Sequence, residues 1–512
     1  MKRKMATAFV AALKENLTLK ELSIHGSVIC EAERDQFAQY LCHNVSLTVL
    51  SITADNVSKR NCFLWMAEGL LVNNTIRNVR LNNVLFDQDN VMMAARIFAE
   101  NDTIRIFNMV YLAHTFSRAP STDYGLWLAP LSNNETLEEL GLPFSIWHSL
   151  QWVGFFSVIA RKQNLKKLTV ALKVTDYRYL PELCAALRET GAEDKVSLGT
   201  HFVDGILNLV QSRALLDVDV FCLDKTVIRQ LHALQAFNHV TSVCFRLKIG
   251  QVSITSAIAR YVEATTSLRR LQLDLYPDHD SALHDKNASF MAIVQSLSRN
   301  TSVRELELNF DHCVGNSVAM QDHNIEQLAH AVGTSRRVRR FHFRAVYSHG
   351  TAAFIRRLSE KVADNYTLIH VVVADVLNKD TAMDYCNIRD KASRNSGLVA
   401  RAVQFARGRP VDSRSARALE RVWRHAGLLE EFAEQVSLSA TDASAVIRRG
   451  LRSTEGLHDF MRLAHVVQNC VVCNPCQDGR PQLDTISEDC WRLIRSYLLL
   501  DDVRESGSFF QG

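Results

Sequence analysis

Apolar residues recur along the chain in one fixed order. An Asn is followed three positions later by an apolar residue, here called the anchor, and two more apolar residues stand three and five positions beyond it. The clearest copy spans residues 300–308 (NTSVRELEL), and close copies span residues 16–24, 44–52 and 73–81. The anchors are Leu19, Leu47, Ile76, Ile104, Leu137 and Leu165, and later Val240, Leu268, Val303, Val338 and Leu368. This regular recurrence predicts a repeat protein rather than one globular core.

Each copy contains two different hydrophobic periods. The residues after the anchor alternate apolar and polar, as in Leu22-Ser23-Ile24, which predicts a short strand with one buried face. The stretch before the anchor repeats apolar residues at intervals of three and four, as in residues 63–71, 290–297 and 354–362, which predicts a helix. One strand and one helix cannot bury their apolar faces alone, so we expect the copies to stack.

This repeat resembles the long leucine-rich repeats of ribonuclease inhibitor and of NOD-like receptors, over roughly residues 10 to 375. It is most similar to proteins described as resembling NLR family CARD domain-containing proteins. The resemblance implies an α/β horseshoe solenoid with parallel strands inside and helices outside. The chain departs from the family because the Asn or Cys expected shortly after each strand is irregular: Ile24 precedes His25, and Leu308 precedes Asn309. No phosphate-binding Gly-Lys-Ser/Thr motif occurs, so neither a nucleotide-driven switch nor any other cofactor is expected.

The pattern changes beyond roughly residue 380. Residues 397–406, 415–423 and 428–433 have helical periodicity and more Ala and Arg, and the strand motif disappears. We therefore predict a solenoid over residues 1–380, a helical cap or small helical domain over 381–465, and a Cys-containing turn with a terminal amphipathic helix over 466–512. Arginines in these helices lack interleaved aromatic residues, so a solvated helix surface is favoured over contact with nucleic acid.

The composition indicates the cellular compartment of the protein and the general class of its partner. The 512 residues are 47% hydrophobic and carry a net charge of only +4, which supports a packed core and gives no general affinity for polyanions. The basic N-terminus passes too soon into Lys14-Glu15 for a secretory signal, and no apolar run reaches membrane-spanning length. The 12 cysteines are scattered, as reduced thiols are. We expect a cytoplasmic protein, with the nucleus as an alternative, and no membrane partner.

The variable strand positions identify a candidate binding surface, because they face the inner side of the expected curve. Eleven basic residues stand there against five acidic ones, Glu21, Glu138, Glu139, Glu305 and Glu307. Lys20 and Arg105 belong to the basic set. The residues predicted to bind a partner are Arg77, Arg80, Lys166, Lys167, Arg269, Arg270, Arg304, Arg339 and Arg340. This charge predicts an acidic protein partner, although solvated strand residues would give the same pattern.

In the copies that contain it, this Asn also matches the acceptor pattern for N-glycosylation, as in Asn44-Val45-Ser46 and Asn300-Thr301-Ser302. Every such Asn lies between a helix and a strand. There it can end the helix while the hydroxyl residue bonds free backbone groups. Because no secretory signal is present, we favour this structural role over glycosylation.

Two kinds of chemical site were considered. Cys470, Cys473 and Cys476 form a compact triple, with His465 and Cys490 as further zinc ligands, but a second well-spaced pair is lacking. A buried turn is therefore favoured, and no metal is predicted. The histidines are dispersed and accompany no nucleophile motif or phosphate loop, so the protein is not expected to be an enzyme.

The terminal segment, residues 483–503, predicts an amphipathic helix with Ser487 as its cap. An apolar stripe is expected from Trp491, Ile494, Tyr497 and Leu498. The segment resembles the opening helix of an F-box and, together with residues 460–464, faintly resembles a SOCS box. Either resemblance implies a partner such as Skp1, elongin or a cullin subunit, whereas an ordinary terminal helix implies none.

Three functions follow from these observations. The first is a non-catalytic scaffold that binds a protein on the inner strand face. The second is a substrate-recognition adaptor of a cullin-type ubiquitin ligase. The third is a regulator of a small GTPase, because some leucine-rich-repeat proteins act on Ran-type GTPases, but no single Arg or Asn stands out for that role.

Overall fold

The computed structural model describes most of the chain. The described residues are 2–29, 33–54, 62–84, 87–110, 124–144, 149–172, 179–198, 200–202, 212–222, 225–278, 280–310, 322–345, 348–374, 379–408, 412–452, 454–473, 482–500 and 502. The chain divides into two compact units, Met1–Phe221 with Arg229–Cys244, and Cys222–Ile228 with Phe245–Gly512. The predicted three-part division of the chain stays a prediction.

Strands and helices alternate through most of the described residues as far as Ala374, while β7, β8 and β9 follow one another with no described helix between them. The strands are β1 (Glu21–His25), β2 (Val49–Thr53), β3 (Asn78–Asn82), β4 (Ile106–Val110), β5 (Glu139–Pro143), β6 (Lys167–Ala171), β7 (Val196–Ser197), β8 (Thr200–Phe202), β9 (Asp217–Cys222), β10 (Ser242–Ile249), β11 (Arg270–Pro277), β12 (Glu305–Phe310), β13 (Arg340–Ala345) and β14 (His370–Ala374). Each strand that follows a predicted anchor begins two residues after it. Strands β7, β8 and β9 lie between the anchors Leu165 and Val240, where no anchor was predicted.

The helices lie between the strands and then continue alone. They are α1 (Lys2–Glu15), α2 (Arg34–His43), α3 (Leu64–Val72), α4 (Gln88–Glu100), α5 (Leu128–Asn133), α6 (Ser149–Arg161), α7 (Leu180–Thr190), α8 (Thr226–Leu234), α9 (Val252–Ala264), α10 (Leu283–Arg299), α11 (Asp322–Thr334), α12 (Ser348–Lys361), α13 (Lys379–Ala406), α14 (Ser413–Arg424), α15 (Ala426–Gln435), α16 (Ala440–Arg452), α17 (Leu457–Leu463) and α18 (Glu488–Tyr497). Among the described residues, no helix is both long and apolar enough to cross a membrane.

In the first unit, β1 to β7 form a parallel sheet in sequence order. Leu22, Leu50 and Val79 stand side by side on neighbouring strands and are buried beneath the helices. Ser23 and Arg80 alternate with them and point to the opposite side, called here the outward face of the sheet. The alternation is the expected result of burying one face of each strand.

The second unit repeats this arrangement. Strands β10 to β14 are neighbours in sequence order, and the described pairings are parallel. Leu271, Leu306, Phe341 and Val371 form one buried column across four strands. Parallel strands that alternate with helices and repeat in register confirm the α/β leucine-rich-repeat solenoid and its helical C-terminal region.

The repeated Asn residues bind one repeat to the next. The Asn101 side-chain oxygen accepts hydrogen bonds from the backbone N–H groups of Thr103 and Ile104, both at 2.9 Å. Its amide donates to the carbonyl oxygens of Leu70, at 2.7 Å, and Asn73, at 3.0 Å, in the preceding repeat. Asn44, Asn73, Asn300 and Asn365 accept from the equivalent two backbone N–H groups, and the amides of Asn73, Asn300 and Asn365 donate to the preceding repeat.

This asparagine ladder lies before each strand, instead of after it as in the family that the chain resembles. Asn73 and Asn101 are 2% and 5% exposed, so their amides are unavailable to a glycosylating enzyme in the folded protein. The hydroxyl residues contribute as expected, since Thr75 donates to the Asn44 carbonyl oxygen at 3.0 Å. The structural role predicted for these residues is confirmed.

Lys162 replaces Asn at one position of the ladder. It stands three residues before the anchor Leu165, as Asn134 does before Leu137, and its amine donates to the Asn134 carbonyl oxygen. Burial lowers the pKa of this amine. A lysine can therefore provide the same bridge between repeats, but it lacks the acceptor oxygen that an Asn supplies.

Helices α13 to α16 pack on one another around Val399, Leu419 and Phe432. Tyr366, in the turn before β14, packs against this cluster. Its ring stacks on His425 at 4.0 Å between centroids, and the Arg394 guanidinium lies 4.1 Å from its centroid. Aromatic and cation–π contacts thus attach the helices to the last described repeat of the second unit.

Candidate functional site

The residue immediately before each long strand forms a row at the edge of each outward face. Neighbours in this pre-strand row are joined through the backbone: the Arg105 N–H donates to the Arg77 carbonyl oxygen at 2.9 Å, and the Arg339 N–H donates to that of Arg304 at 2.7 Å. In the first unit the row reads Lys20, Thr48, Arg77, Arg105, Glu138 and Lys166. In the second it reads Arg269, Arg304, Arg339 and Ile369. Five of the residues predicted to bind a partner therefore line one edge of their sheet, namely Arg77, Lys166, Arg269, Arg304 and Arg339.

In the first unit, the predicted binding residues Arg77, Arg80, Lys166 and Lys167 are all exposed. Arg80 lies in the middle column of the sheet beside Ser51, and Lys167 begins β6. Arg77 and Arg80 form no ion pair with any residue in the described part of the chain. A guanidinium with free donors on a rigid strand is suited to an acidic partner.

Glu138 is the acidic exception within this row. Its carboxylate contacts Arg105 and Lys166, each at 2.6 Å, on the neighbouring strands. Lys166, and then Arg105, hold the pKa of this carboxyl below its usual value by hydrogen bonding. Glu138 consequently offsets part of the positive charge between β4 and β6.

In the second unit, acidic residues of the same chain already cover Arg304 and Arg339 of the pre-strand row. Glu430 lies 3.1 Å from Arg304 and 2.6 Å from Arg339, and Glu434 contacts the same two arginines, lying 2.9 Å from Arg339. Glu431 bridges Arg339 at 3.1 Å and Arg340 at 3.0 Å. These three glutamates of α15 and the arginines they contact, including Arg337 at 2.8 Å from Glu430, are called here the arginine–glutamate cluster.

This finding corrects the interpretation of three predicted binding residues. Arg339 is only 1% exposed, so it cannot contact a partner in this conformation. Arg304 and Arg340 are partly exposed, but both hold carboxylates of α15. Sequence reasoning did not single out Glu430 or its neighbours, although their spacing on one helix opposite an excess of arginine was a usable signal.

The positive charges in this cluster are close enough to affect one another. Burial, followed by the charges of Arg339 and Arg269, lowers the pKa of Arg304, and Glu430 opposes the effect. The glutamates are therefore needed to compensate a row of like charges. The remaining predicted residues, Arg269 and Arg270, are exposed, and Arg270 pairs with Glu307 at 3.3 Å.

Helix α18 begins at Ser487, whose hydroxyl accepts from the Cys490 N–H as the predicted cap. Trp491 is buried against Phe460 of α17, and its indole N–H donates to the Glu455 carbonyl oxygen at 2.7 Å. Arg495 pairs with Glu420 of α14. The terminal helix is thus a packed part of the helical region.

The four apolar residues predicted for α18 are not buried together. Trp491 and Leu498 face the helical core, whereas Ile494 is 41% and Tyr497 is 79% exposed. Leu493, which was not predicted, is 63% exposed on the same side as these two. The three exposed side chains form an exposed apolar face, which nothing covers in the described structure.

The cysteine triple gives no metal centre in the described residues, where no three His, Cys, Asp or Glu side chains converge. Cys476 lies outside these residues. The Cys473 backbone N–H donates to the Asp484 carboxylate at 2.8 Å, which ties this segment to the turn before α18.

No protein-family model matches the chain, and no curated protein matches it. Among solved structures, one of the yeast Rad7–Elc1 complex is similar over 67% of this chain and 81% of the matched chain, with 15% identity and a TM-score of 0.36. The leucine-rich-repeat-containing protein LegL7 from Legionella pneumophila is similar over 73% of this chain and 99% of its own, with 9% identity and a TM-score of 0.33. Similarity at this level carries no functional argument, and the fold assignment rests on the parallel register and the helix packing.

Proposed function

We propose that the protein is a non-catalytic scaffold that binds an acidic protein partner on the outward face of its first sheet. The observation that supports this most directly is the difference between the two pre-strand rows. Arg304 and Arg339 are covered by glutamates of the same chain, whereas Arg77 and its neighbour Arg80 are exposed. The fixed spacing of strands holds these side chains in place, which reduces the entropy lost on binding.

Charge reversal on the two faces of the first unit tests the proposal. One variant carries Arg77→Glu and Arg80→Glu on the outward face. The control carries Lys14→Glu and Arg161→Glu, which make the same change of charge on exposed positions of α1 and α6. Partners captured by the unaltered chain should be lost from the first variant and retained by the control, as measured by quantitative mass spectrometry. Equal retention by both variants would contradict an outward-face site.

We propose, as a second candidate function, that α18 recruits a subunit of a cullin-type ubiquitin ligase, such as Skp1 or an elongin. The supporting observation is the exposed apolar face formed by Leu493, Ile494 and Tyr497. Because apolar side chains at interfaces are stabilised by removal from water, such a face favours a helix-mediated contact.

Substitutions on the surface of α18 test this candidate better than truncation, because removing the helix would expose the Phe460 side chain that Trp491 covers. Ile494→Asp combined with Tyr497→Asp should abolish binding of purified Skp1 or elongin in a pull-down. Ser496→Asp, an exposed change elsewhere on the helix, should leave binding intact. If the unaltered chain binds neither protein, α18 has only a structural role.

A further inference from the structure

The pair Arg77–Arg105 in the first unit occupies the same structural position as Arg304–Arg339 in the second. In each pair the two arginines immediately precede neighbouring parallel strands, and the N–H of the second donates to the carbonyl oxygen of the first. The pairs therefore present their side chains from equivalent backbone positions. They differ in what covers them.

Helix α15 shows how such a pair binds acidic side chains. Glu430 and Glu434 are four residues apart, and each contacts both Arg304 and Arg339. Residues at this separation lie about 6 Å apart on one side of a helix, while neighbouring strands lie about 4.8 Å apart. One helical turn thus matches the distance between two strands, so two glutamates can bridge two arginines.

The first pair retains the donors that this arrangement requires. Arg77 is exposed, and the Arg105 side chain is 50% exposed although it pairs with Glu138. A guanidinium has donors enough for two carboxylates. Arg340 provides the precedent, because one of its terminal nitrogens lies 2.9 Å from Glu305 while the other lies 3.0 Å from Glu431 of α15.

We infer that the Arg77–Arg105 pair binds an acidic helix of a partner through two glutamates one turn apart, as the Arg304–Arg339 pair binds Glu430 and Glu434. The inference rests on the proposed function, because it specifies the partner's structure at the same surface. The inference requires the partner's carboxylates to lie on one side of a helix. General electrostatic attraction has no such requirement.

The test uses the full chain and a fluorescent, helix-stabilised peptide of residues 424–437, which contains both glutamates. The Arg304–Arg339 pair should not bind this peptide, because α15 of the same chain already occupies it at an effective concentration on the order of millimolar. Arg77→Gln with Arg105→Gln should weaken binding about tenfold, in line with the loss of two exposed charge-pair contacts. Lys14→Gln with Arg161→Gln removes the same charge from exposed positions of α1 and α6, away from the outward face, and should change binding less than about twofold.

A second peptide with Glu430→Gln and Glu434→Gln should bind the unaltered chain about tenfold more weakly than the first. Equal weakening by the two double variants of the chain would show general attraction and overturn the inference, as would equal binding of the two peptides or no binding at all. These results are distinguishable from failure of the proposed function. If partners still depend on the outward face while the peptide does not bind, the scaffold proposal stands and the acidic-helix inference fails.

Discussion

Replacing Arg339 by Met should markedly weaken the attachment of α15 to the second unit. Arg339 is 1% exposed and contacts all three glutamates of the arginine–glutamate cluster. Its removal leaves Glu431, also 1% exposed, with Arg340 as its remaining arginine and a hydrogen bond from Gln435. Removing one partner of a buried ion pair typically costs about 3–5 kcal/mol, because the other charge is left inadequately compensated. We expect a loss of this size.

Hydrogen exchange under native conditions measures the loss locally, which suits a chain with two compact units. Backbone amides of α15 and β13 should exchange faster in Arg339→Met, with their opening free energy reduced by about 3–5 kcal/mol. Arg270→Met removes an exposed ion pair with Glu307 and should cost less than about 1 kcal/mol. Adding Glu431→Leu to Arg339→Met should recover part of the loss, because the second change removes the isolated charge.

The reasoning is refuted if Arg339→Met and Arg270→Met lower the opening free energy equally. The burial of Arg339 would then not determine how much the arginine–glutamate cluster stabilises α15. It also fails if exchange changes in both units to the same extent, since a general destabilisation would not identify the cluster as the attachment of α15.

Three further predictions concern other parts of the molecule. Asn101→Ala removes the four hydrogen bonds of a side chain that is 5% exposed, and it should lower the free energy of unfolding in urea by about 3 kcal/mol. Asn16→Ala, at an exposed position, should lower it by less than about 1 kcal/mol. The Glu138 carboxyl should titrate by NMR below the usual range of a glutamate, because Lys166 and Arg105 bond its charged form. Its contribution to stability, present at neutral pH, should be lost as the pH falls through its folded pKa. Burial, followed by nearby arginines, lowers the pKa of His425. The unfolded chain therefore takes up a proton more readily than the folded chain, and stability should fall as the pH drops below about 6.5. His425→Phe, which keeps an aromatic ring, should reduce this pH dependence in thermal unfolding.

The strands and helices were predictable because they depend on local patterns. Ten of the eleven anchors, Val303 among them, are buried because one side of each repeat faces the helices, and Leu19 is partly buried. The Asn that precedes seven of the anchors was also a usable signal. The hydrogen bond from this Asn to the preceding repeat was not predictable, because it joins residues about 30 positions apart in the sequence, as for Asn101 and Leu70.

The helical periodicity of α18 places its predicted apolar residues on one side of the helix. At about 100° per residue, Trp491, Leu498, Ile494 and Tyr497 fall within one arc of about 120°. The sequence could not show which part of this arc is buried, because that depends on the packing of α17. In the structure the Trp491 end of the arc packs on α17, and the Tyr497 end is exposed.

The burial of Arg339 could not be predicted from its surroundings, because the local sequence resembles that around Arg105. Both residues follow an apolar anchor and precede a strand, and a charged residue at such a position is expected to be exposed. What distinguishes them is Glu431, which lies 92 residues beyond Arg339 and pairs with it only after α15 has packed on α13 and α14. Equivalent positions therefore have different roles. In the second unit the arginine attaches a helix, and in the first its side chain remains 50% exposed.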